Sequence, residues 1–178
     1  MGGVAGIYHI SLGSNLGDRG QHLAGAARRL EKAGVRIVRA SSVYATEPLD
    51  FSDQPWFLNQ VLEVETDLAP QELLELAKAI EREMKRAPSV PKGPRTIDID
   101  ILLAGDMIVD TADLTVPHPA MARRNFVLAA LDEIAPDLVH PVLHETIHEL
   151  ARRSGDRARV VRCDRAPLGT RARPSKRR

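Results

Sequence analysis

The spacing of apolar residues switches between a two-residue and a 3.6-residue period along this chain, and the order of the switches is the tightest constraint on its fold. Residues 7–12 are apolar and strand-like and run into Gly13-Ser14-Asn15-Leu16-Gly17-Asp18, a turn-forming segment. Leu23, Ala26, Ala27 and Leu30 then recur at helical spacing, with Gly34 placed to end the helix. Residues 35–44 and 57–65 read as strands, separated by a loop with two prolines and two aspartates. Pro70 opens a second helix, whose apolar face is Leu73, Leu74, Ala77, Ile80 and Met84 and which extends to about residue 86. Residues 87–95 hold three prolines and a glycine and form a loop; residues 96–103 are a strand. A short strand with its connection is expected at 108–116, and short helices at 121–131 and 143–153. The order β-α-β-β-α-β predicts a split βαβ, ferredoxin-like α+β layer: a mainly antiparallel sheet with helices packed on one face, plus short C-terminal helices. No internal repeat interrupts this reading.

Charge divides the chain differently from hydropathy. Residues 151–178 carry 11 of the 25 Lys and Arg but 2 of the 24 Asp and Glu, a net of +9, while the preceding 150 carry −8. Residues 1–153 are therefore expected to form the domain and 154–178 a basic tail, with one short strand at 159–162. No apolar run approaches the ~18–20 residues of a membrane helix, and residues 1–10 lack the basic and apolar regions of a secretory signal. One cysteine, Cys163, excludes an internal disulfide framework, and a reduced, cytoplasmic setting is expected.

The sharpest chemical signal is Pro94-Arg95-Thr96-Ile97-Asp98-Ile99-Asp100-Ile101-Leu102. On a strand Asp98 and Asp100 share one face, ~6–7 Å apart, while Ile97, Ile99 and Ile101 enter the core. Asp is depleted in strands, and like charges this close repel unless a cation lies between them. A hard divalent cation such as Mg²⁺ suits carboxylate oxygens; the alternative is a solvated strand face. Lys85, Arg86, Lys92 and Arg95 lie in or beside the preceding loop, where cations suit phosphoryl transfer or simple solvation. His118, between Pro117 and Pro119, could aim its ring at a phosphate oxygen or could sit in a surface turn. Three of the six aromatic residues, Phe51, Trp56 and Phe57, cluster beside Asn59, a composition suited to stacking a flat heterocycle or to core packing. The Gly13–Gly17 turn lacks the Lys-Ser/Thr of a Walker A loop.

Two other classes compete. His144-Glu145-Thr146-Ile147-His148 fits the H-E-x-x-H zinc pattern, but Pro141 interrupts any helix from His140 and no good third ligand follows. A βαββαβ sheet with an Arg-rich tail also suits an RNA-recognition module, although no aromatic run of the required kind is present and the body is acidic.

Several separated motifs resemble the 6-hydroxymethyl-7,8-dihydropterin pyrophosphokinase family: Gly13-Ser14-Asn15-Leu16-Gly17; Thr46-Glu47-Pro48-Leu49, Asp53-Gln54-Pro55 and Phe57-Leu58-Asn59; Gly93-Pro94-Arg95-Thr96-Ile97-Asp98-Ile99-Asp100; and Val116-Pro117-His118-Pro119 with Arg124 and Phe126. The resemblance implies transfer of pyrophosphate from ATP to the 6-hydroxymethyl group of 7,8-dihydropterin, with release of AMP, in folate biosynthesis. It implies two Mg²⁺ ions on Asp98 and Asp100, and pterin contacts from Thr46, Pro48, Phe57, Asn59 and Phe126. It places Glu81, Ile101, Thr115, His118 and Arg124 around ATP, and Arg86 and Arg95 on loops that close over the phosphates. Family members usually have Gly-Arg where this chain has Lys85-Arg86, and commonly Trp where it has Lys92. The expected partners are these two small molecules and no membrane, with at most non-specific nucleic-acid contact through the tail, on a monomer or weak dimer.

Overall fold

A computed structural model describes residues 5–48, 55–84 and 95–163. The elements run β1 (Gly6–Ser14), α1 (Arg19–Lys32), β2 (Arg36–Ala40), β3 (Val43–Thr46), β4 (Phe57–Thr66), α2 (Pro70–Glu83), β5 (Asp98–Ala104), β6 (Val109–Asp110), β7 (Thr115–Val116), a 3₁₀ turn (Met121–Arg123), α3 (Asn125–Ile134), α4 (Ile147–Arg153) and β8 (Val160–Cys163). The main sheet is ordered β5-β1-β4-β3-β8, with β2 also paired to β4, and every pairing is antiparallel. This is the expected ferredoxin-like layer, extended at one edge by β8.

Alternation divides the sheet into two faces. Tyr8, Ile10, Leu12, Leu62, Val64, Ile99 and Ile101 point to the side covered by Leu23 and Leu30 of α1 and Leu73 and Ile80 of α2. Burying each such side chain is worth ~1.5–3 kcal/mol. Tyr44, Val61 and Leu102 point to the other side, where Leu128 and Leu131 of α3 and Leu150 of α4 cover them. The helices of the βαββαβ unit thus lie on one face as anticipated, while the C-terminal helices close the opposite face. The sequence pattern shows that each short helix has an apolar stripe but not which face of the sheet receives it.

Local chemistry explains where elements start and stop. Asp18 caps α1 by accepting from Gln21 N at 3.1 Å. Pro70 sits in the first turn of α2, and Glu72 Oε2 accepts from Ala69 N at 2.7 Å. The strand expected at 35–44 divides at Ser41, whose hydroxyl accepts from Val61 N at 2.9 Å and so replaces a ladder bond. Glu133 of α3 holds the same corner, accepting from Ser42 N at 3.0 Å, Ser42 Oγ at 2.8 Å and Tyr44 Oη at 2.7 Å. The helix expected from residue 143 begins at Ile147 instead, because Thr146 and Glu149 form a capping box and His144 adopts a left-handed φ of 57°. The helix expected at 121–131 is likewise broken at Arg124, which is extended between the 3₁₀ turn and α3.

Candidate active site

Register brings the site together. Gly13 of β1 lies opposite Asn59 of β4 on one side and Asp98 of β5 on the other. Directly paired residues share a face, so Asp98, Gly13 and Asn59 form one row across three strands, and Tyr44 extends the row on β3. Two strand spacings separate the ends of the Asp98–Asn59 row by ~10 Å. Ser11 lies opposite Asp100, which places that carboxylate on the same face as Asp98. Ile99 and Ile101 are buried on the opposite face, as the alternation requires.

The missing side chain at position 13 shapes the floor between the two ends. A Cβ there would stand 2.8 Å from Asn59 Oδ1 and 4.0 Å from a Phe57 ring carbon. Asn59 is buried and its Nδ2 donates to Thr46 Oγ1 at 2.7 Å, which turns Oδ1 over Gly13. Thr46 pairs with Phe57, and Phe57 and Asn59 lie two positions apart on one face of β4. Thr46, Phe57 and Asn59 therefore converge, with Pro48 following at the end of β3. Phe126 stands at the start of α3, packed against the second core.

The acidic end is dense in charge. Arg95 Nη1 donates to Asp98 Oδ2 at 2.5 Å. Asp100 is pushed up to about 7 by burial first and by the negative charge of Asp98 second, with Arg124 and Arg95 opposing and Glu81 reinforcing. Glu81, buried on α2, accepts from Ile99 N at 2.8 Å with Oε1, so it ties the Asp strand to the helix. Leu102 is the bulged residue of β5, where the register with β1 shifts, and its carbonyl accepts from His118 N at 2.9 Å. This docks His118 beside the strand. Burial and the charge of Arg124 hold its imidazole below the ordinary histidine range, against the charge of Asp98. Its Nδ1 accepts from Ala120 N at 3.1 Å, so the neutral ring carries its proton on Nε2.

The structure thus gathers Asp98, Asp100, Glu81, Arg95, His118 and Arg124 at one end, and Thr46, Phe57 and Asn59 at the other. Ile101 is in the core beneath Asp100, and Thr115 is an exposed residue of β7. Lys85, Arg86, Lys92 and Phe51 lie outside the described residues. Two carboxylates whose mutual repulsion raises the affinity of one for a proton, one strand residue apart, fit a hard divalent cation that completes its shell with water and phosphate oxygen.

The Gly13–Gly17 turn does more than its glycine content signals. Asn15 is buried, donates its backbone N–H to Arg95 O at 3.1 Å, and accepts Arg95 N at its Oδ1 at 2.7 Å. Its Nδ2 also reaches Pro55 O at 3.4 Å, and Arg19 Nη1 donates to Trp56 O at 2.6 Å. The turn is a clamp on the two segments that enter the site. The one available signal was a polar residue between two glycines, directly after a buried strand.

The competing readings lose their geometry. His144 lies in a turn and His148 in α4, where its Nδ1 meets Asp132 at 3.0 Å, so the two do not share a helix face. The sheet face that an RNA-recognition module would offer to bases is covered here by α3 and α4.

Residues 9–136 match the family model of 7,8-dihydro-6-hydroxymethylpterin-pyrophosphokinase. The 2-amino-4-hydroxy-6-hydroxymethyldihydropteridine pyrophosphokinase of Bacillus subtilis is 48% identical over 129 residues, covering 72% of this chain and 77% of the relative. The protein of that name from Aquifex aeolicus is 41% identical over 146 residues, covering 82% and 90%. The folic acid synthesis protein fol1 of Schizosaccharomyces pombe is 42% identical over 144 residues, but the chain spans only 20% of its length. A crystal structure of Plasmodium falciparum HPPK-DHPS superposes with a TM-score of 0.69 at 18% identity, over 85% of this chain and 43% of that one, and shares the fold. The chain belongs to the 7,8-dihydro-6-hydroxymethylpterin-pyrophosphokinase family.

Proposed function

We propose that this chain transfers the β,γ-pyrophosphoryl unit of ATP to the 6-hydroxymethyl oxygen of 7,8-dihydropterin. The bond from the hydroxyl oxygen to Pβ forms as the hydroxyl proton is released to solvent, the bond between Pβ and the α,β-bridging oxygen breaks, and AMP leaves with that oxygen. The observation that carries this is the Asp98–Gly13–Asn59 row. It supports a charged end for phosphates and a flat, amide-lined end for the bicyclic ring, ~10 Å apart on one rigid sheet.

Thr46, Pro48 and Asn59 would read the ring edge, and Phe57 and Phe126 would stack its faces. Glu81, Thr115, His118 and Arg124 would receive ATP, with the buried Ile101 side chain supporting Asp100 from the core beneath. His118 would donate its Nε2 proton in a hydrogen bond to a phosphate oxygen, and Arg95, Arg124 and Arg86 would offset oxygen charge. Asp98 and Asp100 would hold two Mg²⁺ ions, which when bound neutralise the triphosphate and acidify the attacking hydroxyl. Phosphoryl transfer needs little covalent help, so fixing the hydroxyl near the β-phosphorus can itself contribute ~7–11 kcal/mol. Arg95 already grips Asp98; nucleotide arrival would exchange that bond for one to phosphate.

The test is product analysis with ATP, Mg²⁺ and 6-hydroxymethyl-7,8-dihydropterin. AMP and the pterin diphosphate in equal amounts are expected. ADP with a pterin monophosphate, or no consumption of either substrate, would refute the proposal.

A further inference from the structure

On the pterin reading the two walls of the ring site come from distant parts of the sequence: Thr46 with Phe57 and Asn59, and Phe126 at the start of α3. Residues 154–163 cross from one wall to the other, beyond the stretch 9–136 that matches the family model.

At the α3 wall, Asp156 Oδ2 accepts from Asn125 N at 2.8 Å. Arg124, at the N-cap, makes no side-chain cap of its own, so a carboxylate twenty-two residues past the end of α3 supplies the missing acceptor at the positive end of the helix. Asp156 Oδ1 accepts from Ala158 N at 2.9 Å, which bends the segment toward the sheet. At the β3 wall, Arg159 N donates to Glu47 Oε1 at 2.9 Å, and Glu47 N donates to Arg159 O at 3.2 Å. Val160 then pairs with Thr46. The Arg159 guanidinium stands 5.5 Å from the centre of the Trp56 ring, within cation–π range. Arg19 holds the carbonyl of the same residue, so Trp56 is fixed from both ends immediately before Phe57.

We propose that Asp156 and Arg159 are positioning residues: residues 154–163 form a strap that sets the separation of the two ring-binding walls, and so tunes affinity for the heterocycle rather than for the nucleotide. This rests on the pterin reading above. The strap's bonds to Asn125, Glu47 and Thr46 join it to the segments that carry Phe126, Thr46 and Phe57, and farther along it Arg162 pairs with Glu133 at 3.5 Å.

The test compares Asp156→Ala and Arg159→Ala with Asp156→Asn and Arg159→Lys in steady-state kinetics, melting and tryptophan emission. Trp56 is the chain's one tryptophan, so its emission reports the strap directly. KM for 6-hydroxymethyl-7,8-dihydropterin is expected to rise about tenfold in Asp156→Ala and about two- to fivefold in Arg159→Ala. KM for ATP should stay within about twofold, and emission of ligand-free Arg159→Ala should shift. The Asn variant keeps an acceptor and the Lys variant keeps a cation, so both should recover most of the loss. If an alanine variant does not fold, Asp156→Leu and Arg159→Gln, which remove the acceptor and the cation but keep side-chain bulk, carry the same test with the same split between the two substrates. An unchanged pterin KM, or a parallel rise for both substrates that tracks lowered melting temperature, would overturn the strap. Wild-type protein that neither binds nor consumes the pterin would instead overturn the reading of the pocket, and the strap with it.

Discussion

Gly13→Ala is the substitution with the sharpest expected consequence. The added methyl would stand 2.8 Å from Asn59 Oδ1, where a carbon and an oxygen not bonded to each other settle near 3.4 Å, so the amide must retreat about 0.6 Å. It cannot do so without cost. Asn59 is buried, its Nδ2 is committed to Thr46 at 2.7 Å, and the Phe57 ring borders the same space. Overpacking of this kind costs ~1–3 kcal/mol, which for a chain of this size lowers the melting temperature by about 2–12 °C. The methyl is no nearer than 4 Å to Asp98, so the acidic end is spared. Calorimetry should therefore show pterin affinity reduced at least about tenfold, with affinity for a non-hydrolysable ATP analogue and Mg²⁺ within about twofold. Adding Asn59→Ala to Gly13→Ala should recover part of the melting temperature without recovering pterin binding, a coupling that independent sites would lack. Unchanged melting with pterin affinity within twofold of wild type would refute the reasoning, and so would equal loss of both ligands.

Other perturbations probe other parts of the account. Glu81→Ala removes the acceptor of a buried strand N–H and should cost ~1–3 kcal/mol in denaturant unfolding, together with weaker nucleotide binding; Glu81→Gln keeps the acceptor and should restore most of the stability. Arg95→Ala should lower kcat by a larger factor than it raises the dissociation constant for pterin, because the contact with phosphate forms after binding; equal factors would contradict that role. Burial alone would raise the Glu133 carboxyl, but hydrogen bonds from Tyr44 and Ser42 and the charge of Arg162 hold it below the usual range. Its stabilisation is therefore present above the unfolded carboxylate pKa and lost as pH falls through the depressed folded value. Melting curves of wild type and Glu133→Gln should be fully separated above the unfolded carboxylate pKa of about 4.3 and draw together as pH falls below it.

Much of this was legible in the sequence because it depends on local periodicity. The two-residue alternation of Asp98-Ile99-Asp100-Ile101 alone fixes which side chains enter the core and which face the site, and β5 follows it. The helices α1 and α2 follow their apolar stripes to within a few residues. What was hidden depends on partners distant in sequence. Nothing near Gly13 reveals that Asn59 and Asp98 will flank it; only strand register does. Nothing in residues 143–146 announces a left-handed His144, although the Thr146-x-x-Glu149 capping box could have placed the helix start at Ile147. The Arg-rich composition of residues 151–178 reads as a solvated tail, yet Asp156 and Arg159 are tied to α3 and β3 by bonds that a charge count does not register.

The central claim is that Asp98 and Asp100 jointly hold the cation that brings ATP phosphates to the pterin hydroxyl. Titrating Mg²⁺ into wild type, Asp98→Asn and Asp100→Asn with a non-hydrolysable ATP analogue tests it most directly, with melting temperature recorded alongside. Each substitution relieves the repulsion between two carboxylates, so Asp100→Asn should melt at or above the wild-type temperature and Asp98→Asn, which also gives up its ion pair with Arg95, close to it, while Mg²⁺-dependent nucleotide binding and AMP formation are lost. Wild-type-like Mg²⁺ dependence and turnover in either folded variant would contradict the account.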